Sequence, residues 1–335
     1  MPRKPRIEYA GAVYHVLNRG DQGDRIFKDD LDAENFLLLL GKTAEQCGWV
    51  LHAYCLMPNH FHFLLETPEA NLVAGMKWFL GTYTQVYNRR HGLRGHLFQG
   101  RYKALPIQSG SGGYFEKVST YIHLNPARGG LLNQDKPILM KYKRSSYPSY
   151  LNPNIRSGWL KVDRVLGNMG LKDDRSGRVA YGRHMQVLVG ELRTKKGRKL
   201  YSGLWKDIRW GWYIGDESFE SEMLARVGQA VEGKQRASYS GDEMARHDEG
   251  EAERLVRKGL KILGVEESRL GVMHKGAPEK KVLAWLVTRR AMVSSRWIAA
   301  RLKMGVAANV GKYIREMQED ESADIVLLRK RLLNT

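Results

Sequence analysis

The chain has few cysteines, a shortage of acidic side chains and no long apolar run. Its 335 residues include two cysteines, Cys47 and Cys55. Two thiols exclude a disulfide framework, and their spacing is not that of a structural zinc site, so a reducing cytoplasm is the expected setting. The basic N-terminus MPRKPRIEYAG is not followed by an apolar signal core, and the hydrophobic stretches fall short of a membrane span. Secretion and membrane insertion are therefore not expected. Attachment to anionic lipid ranks last, because no long helical pattern joins a Lys/Arg face to a strongly apolar one.

Against 36 Asp plus Glu stand 55 Lys plus Arg, a net charge of +19. A folded chain with a pI of 9.8 repels itself unless a polyanion relieves it, which points to nucleic acid. Disorder is not the alternative, because 42% hydrophobic and 10% aromatic residues supply a packed core. The length predicts two domains, or one with a long extension. Both parts are basic: residues 1–150 carry 19 basic and 12 acidic side chains, net +7, and residues 151–335 carry 36 and 24, net +12.

Hydrophobic periodicity predicts a strand at Ala12–Asn18, a helix near Leu31–Cys47 and strands at Trp49–Met57 and His60–Glu66, the last two joined by Pro58-Asn59 as a hairpin. A helix near Leu72–Arg90, a strand near Leu97–Ile107, the hinge-like SGSGG of Ser109–Gly113 and a helix from Tyr114 to about Leu124 follow. Asn125-Pro126 is expected to stop that helix. The order implies an α+β domain over 1–150 with an antiparallel sheet flanked by helices. Residues 151–215, ending their basic run in RTKKGRK at Arg193–Lys199, read as a basic linker or extension, or as a phosphate contact. Residues 216–335 read as an all-α domain. Within it Pro278–Gln318 suits a helix-turn-helix, with Ser294-Ser295 as N-cap, Gly305 as break and Lys303, Lys312 and Arg315 as DNA contacts.

The sharpest feature is His60-Phe61-His62-Phe63. Alternation along a strand puts His60 and His62 on one face and Phe61, Phe63 and Leu65 on the other. Two neutral imidazoles on one face can share a divalent cation and leave positions open for a substrate oxygen. The alternative is a pair of half-exposed histidines on a solvated sheet, and His15 and His52 read as structural. Tyr121 and Asn125, four apart, share a helix face. A phenol is a weak nucleophile at its ordinary pKa of about 10, but beside a cation that polarises a phosphodiester it can displace a 3′-hydroxyl.

Four ordered blocks carry a family resemblance. They are Tyr14–Gly20 (YHVLNRG), Tyr54–Glu66 (YCLMPNHFHFLLE), Gly95–Ala104 (GHLFQGRYKA) and Tyr121–Leu132 (YIHLNPARGGLL). Together they resemble the REP-associated tyrosine transposases, HUH-type enzymes that act on single-stranded DNA with one tyrosine. The resemblance implies a ferredoxin-like core, Mg²⁺ or Mn²⁺ as cofactor, His60 and His62 as metal ligands with Asn125 as the third, and Tyr121 as nucleophile. It implies imperfect palindromic DNA hairpins as partners, contacted by Arg19, Arg101 and Lys103 at phosphates and by Tyr102 through stacking. The glycine-rich join would let the tyrosine helix act in cis or from a partner subunit, so monomer and homodimer both stay open. Similar long members carry a tail resembling the DNA-binding domain of replication initiators, which makes duplex DNA a second expected partner. The competing readings are a domesticated, non-catalytic hairpin-binding protein and an HUH replication or conjugation nickase.

Overall fold

The computed structural model describes residues 6–110, 113–132, 138–231, 242–291, 293–320 and 322–333. It divides into two compact units, Arg6–Met223 and Leu224–Thr335. The first begins β1 (Ala12–Arg19), α1 (Asp30–Cys47), β2 (Val50–Met57), β3 (His60–Thr67), α2 (Leu72–His91) and β4 (Lys103–Ile107). These strands form one antiparallel sheet in the order β2-β3-β1-β4, which is the ferredoxin-like arrangement and agrees with the α+β expectation. Pro58 and Asn59 make the tight β2–β3 connection, and the Asn59 amide anchors it by donating to the Gly23 carbonyl at 3.0 Å.

Alternation on β3 divides the sheet. Phe61 and Phe63 face α1 and α2, where Phe36 lies 5.1 and 5.9 Å from their ring centroids and 4.7 Å from that of Phe79. All four rings are fully buried. Burial of such side chains is worth about 1.5–3 kcal/mol each, so this aromatic layer dominates the local stability. The opposite face, carrying the histidines, is covered by α3 (Tyr114–His123).

Two element boundaries differ from expectation. The last strand starts at Lys103 and not at Leu97, because Gly100 adopts a left-handed φ of 98° and breaks the extended run. Asn125-Pro126 ends α3 yet opens another turn, α4 (Asn125–Arg128). Proline in a first turn forfeits no helical hydrogen bond. Residues 111 and 112 of the glycine-rich join lie outside the described residues.

Of the two readings of the basic stretch, linker or extension, the described residues form an extension. Residues 151–215 are largely helical and share the core of the sheet domain, following α5 (Tyr147–Leu151) with α6 (Asp163–Asn168), α7 (Arg175–Arg193), α8 (Lys195–Leu204) and α9 (Lys206–Trp210). On α7 a sparse apolar stripe, Tyr181, Met185, Leu188, Val189 and Leu192, is buried beneath a basic surface that dominates the composition. RTKKGRK is the corner between α7 and α8. Thr194 caps α8 by accepting from Gly197 N, and a Cβ on Gly197 would stand 2.1 Å from the Glu191 carbonyl oxygen, so only glycine fits. Buried His123 ties this layer to the sheet. One ring nitrogen lies 2.7 Å from the Tyr181 hydroxyl and the other 2.7 Å from Ser146 Oγ, which in turn bonds the Tyr54 backbone.

The division between the units falls within α10 (Glu217–Val231). The second unit contains α11 (Asp242–Leu263), α12 (Pro278–Arg290), α13 (Ser295–Arg301), α14 (Ala307–Glu319) and α15 (Ala323–Leu333) around an apolar core that includes Trp285. The helix-turn-helix pattern is present: Ser294 accepts from Trp297 N, and Gly305, at φ 88°, separates α13 from α14. A fully buried ammonium holds the turn, with Lys280 Nζ donating to the Leu270, Met273 and Lys303 carbonyls. Among the described residues no helix is long and apolar enough to cross a membrane.

Candidate active site

His60 and His62 stand on the α3-covered face of β3, opposite Arg19 and Leu17 of β1. Their ring centroids are 5.1 Å apart with planes nearly perpendicular. This face is not the solvated surface that a bare histidine pair suggests, since His62 is only 5% exposed. Burial, helped by Arg19 and Arg128, lowers His60 to about 4; burial, then His15, His60 and Arg128, holds His62 well below the usual imidazole range. Both rings are therefore neutral near pH 7, the form that can ligate a cation.

Neighbouring hydrogen bonds also select the tautomer. His60 Nδ1 lies 2.7 Å from Asn59 Oδ1. That amide oxygen can only accept, and its orientation is set by the Asn59 Nδ2 bond to Gly23, so the proton is on Nδ1 and the lone pair on Nε2. His62 Nδ1 meets His15 Nε2 at 2.9 Å, and the two rings stack. If His62 donates there, its Nε2 is also a lone pair, and His15 Nδ1 is left as a buried atom without a partner. Two imidazole nitrogens are borderline donors, which could hold a divalent cation with its remaining positions filled by water or substrate oxygens. Among the described residues no group of three or more His, Cys, Asp or Glu is arranged to hold a metal ion.

Tyr121 comes from α3 and is 5% exposed. Its ring centroid lies 5.7 Å from that of His15, 5.8 Å from His62 and 5.4 Å from Trp205. The Arg128 guanidinium sits 4.2 Å above the same ring and 5.2 Å from that of Trp205. A phenol, two neutral imidazoles and a guanidinium are thereby gathered in one place. Such a set can bind a phosphate, polarise it through a shared cation and attack it.

Residues 9–125, which hold the sheet, the histidine pair and the tyrosine, match the family model described as IS200-like transposase. That stretch, about a third of the chain, is similar to the IS200-like transposases. A solved structure of a REP-associated tyrosine transposase bound to a REP hairpin is similar at 14% identity with a TM-score of 0.37, covering 49% of this chain and 93% of that one. No curated protein matches the chain.

Not every residue expected at the site is free for the role. Asn125, expected as third ligand, spends its amide nitrogen on the Tyr121 and Ile122 carbonyls at 3.1 and 3.3 Å, while its oxygen accepts from Arg128 at 3.0 Å. It caps the tyrosine helix, and a guanidinium at its oxygen disfavours a second cation there. Arg19 and Lys103 do share the histidine face, opposite His60 and Leu17 respectively. Arg101 instead lines a separate groove with Asn18, Thr84 and Phe98. Tyr102, expected to stack on a base, is 9% exposed with Arg6 lying 4.7 Å over its ring.

Sequence reasoning read His15 as structural and passed over Arg128 and Trp205. Arg128 lies in the last resemblance block, but beyond the expected helix stop at Asn125-Pro126, so no helix face linked it to Tyr121. His15 sits in the first resemblance block but gains meaning only when β1 pairs with β3. Trp205 lies eighty-four residues beyond Tyr121 and had no local signal.

Proposed function

We propose that this chain cleaves and rejoins single-stranded DNA hairpins as a metal-dependent strand transferase, through a covalent 5′-phosphotyrosine on Tyr121. The observation that carries this reading is the Tyr121 ring within 6 Å of a histidine whose partner, His60, has its Nε2 lone pair turned out by Asn59. The IS200-like match over 9–125 supports transposition as the process.

His60 and His62 would hold Mg²⁺ or Mn²⁺, which when bound supplies Lewis acidity at a non-bridging phosphate oxygen. Burial keeps both imidazoles unprotonated for that task. Arg128, with Arg19 and Lys103 on the same face, offsets the phosphate charge that would otherwise repel the attacking oxygen. Asn125 fixes the end of the tyrosine helix, and Trp205 packs edge-on against the ring, so the phenol is held beside the histidines. The Tyr121 oxygen forms a bond to phosphorus as the bond to the 3′-oxygen breaks. The phenolic proton leaves to solvent and the departing 3′-oxygen takes one up. Attack by another 3′-hydroxyl reverses the step without an external energy source.

The test incubates the full chain with labelled hairpins from its native locus, carrying single-stranded flanks, and Mn²⁺ or Mg²⁺. A denaturation-resistant adduct is expected from the wild type and none from Tyr121→Phe. His60→Ala should lose the adduct while keeping hairpin binding. Hairpin binding by the wild type without any adduct would overturn strand transfer and leave a non-catalytic hairpin-binding protein.

A further inference from the structure

The helical layer beyond the family match builds a cleft of about 660 Å³ beside the tyrosine. Its floor is the chain just after Tyr121, and its walls are α7, α8 and α9. Four guanidiniums line it, from Arg128, Arg193, Arg198 and Arg209, together with the rings of Tyr201 and Trp205. None of its lining residues is acidic. The rings of Tyr201 and Trp205 lie 4.8 Å apart and 31° from parallel, and Arg128 spans the gap from Trp205 to the Tyr121 ring.

We propose that this cleft binds the single-stranded DNA that continues from the phosphate attacked by Tyr121. The inference rests on the reading of Tyr121 as acting on single-stranded DNA, and it assigns the flank of the substrate to residues outside the 9–125 match. A concavity lined by four guanidiniums and no carboxylate attracts a polyanion, and the volume falls within the ~300–1,000 Å³ typical of ligand sites. An acidic peptide would meet the guanidiniums equally well. It would have no use for the half-exposed Tyr201 ring, whereas an unpaired base can stack there, with buried Trp205 behind it, while its phosphates meet arginine. Duplex DNA keeps its bases paired and inaccessible to that ring. Continuity decides the strand's direction of approach: Arg128 lines the cleft and covers Tyr121, so a backbone leaving the tyrosine passes directly into it. The corner at Thr194 and Gly197 folds α8 back on α7 and brings Arg193 and Arg198 into the same cleft, with the Arg198 guanidinium donating to the Arg193 carbonyl at 2.8 Å.

The experiment compares the full-length wild type with Arg193→Gln/Arg209→Gln. Both positions are exposed, so the fold should persist, and an unchanged thermal midpoint verifies this. Fluorescence anisotropy is recorded over a range of salt with two probes, one hairpin bearing a single-stranded flank and the same hairpin trimmed flush. The double variant should lose about tenfold in affinity for the flanked hairpin and keep its affinity for the flush one. Its dependence of log affinity on log salt should become shallower by about 1.4, the value for two single-strand phosphate contacts. Equal losses on both DNAs, or none on either, would overturn the proposal. Stronger loss of binding to a polyglutamate peptide than to the flanked hairpin would also overturn it and assign the cleft to an acidic protein. Tyr121 adduct formation is read in the same samples. A wild type that discriminates flanked from flush DNA but forms no adduct sinks the strand-transfer reading and leaves the cleft assignment standing.

Discussion

The two faces of one sheet differ in almost every physical respect. Toward α1 and α2 the sheet presents Phe61 and Phe63, which meet Phe36 and Phe79 in a dry aromatic layer. Toward α3 it presents His60, His62 and His15, with Tyr121 and Arg128 above them. Successive residues of a single strand supply both. The aromatic face makes the sheet rigid, and the polar face uses that rigidity to hold buried imidazoles at fixed positions despite the cost of desolvating them. Stability and chemistry are thus separated by one step of the pleat.

The comparison is most easily broken from the aromatic side. Phe36→Ala removes the ring shared by Phe61, Phe63 and Phe79, and should cost about 3–5 kcal/mol in denaturant unfolding. A loss under ~1 kcal/mol would mean that the aromatic layer is not what supports the site. The histidine side should show itself in pH. His123, buried among Tyr147, Tyr150 and Tyr181, is lowered by burial to about 3. Its unfolded value is about 6.5. Between these values the unfolded chain binds a proton that the folded chain refuses, so the contribution is complete above pH 6.5 and is lost as pH falls toward 3. The slope is about 1.4 kcal/mol per pH unit for this one group. Measuring stability of the metal-free protein from pH 7 to 4.5 checks it, and His123→Gln should flatten the curve by that amount.

A finer distinction is between holding the histidines and holding the fold. Asn59→Ala removes the acceptor that keeps the His60 proton on Nδ1, and should weaken Mn²⁺ binding by roughly 10–100-fold, as loss of an outer-shell partner commonly does. Calorimetric titration of wild type and variant measures this, alongside the thermal midpoint of each metal-free protein. An unchanged affinity would show that His60 does not depend on Asn59 for its tautomer.

Much of the frame was legible before any coordinates. The alternation of HFHFLL, the hairpin at Pro58-Asn59 and the spacing of α1 and α2 are local signals, and the sheet carries them as expected. The cap at Ser294 and break at Gly305 were equally local. The helices of the extension were not legible because the buried stripe on α7 is only five residues among many Arg, Lys and Gly, so average composition concealed a helix. Asn125 was ambiguous for another reason: an amide before proline can ligate or cap, and only the positions of the Tyr121 and Ile122 carbonyls and of Arg128 settle where its atoms go.

The sequence by itself determined which residues share a strand face or a helix face, because those relations depend on the fixed periods of 2 and 3.6. It therefore determined the histidine pair, the separation of Phe61 and Phe63 from it, and the helical position of Tyr121. Tertiary structure alone decided what surrounds them. His15 reaches His62 through β1–β3 pairing, Trp205 reaches Tyr121 through packing of α8 and α9, and four arginines converge on one cleft because α8 folds back on α7 at Thr194 beside the end of α4. Each of these depends on chain segments far apart in sequence meeting in a shared core, and no local period encodes such a meeting.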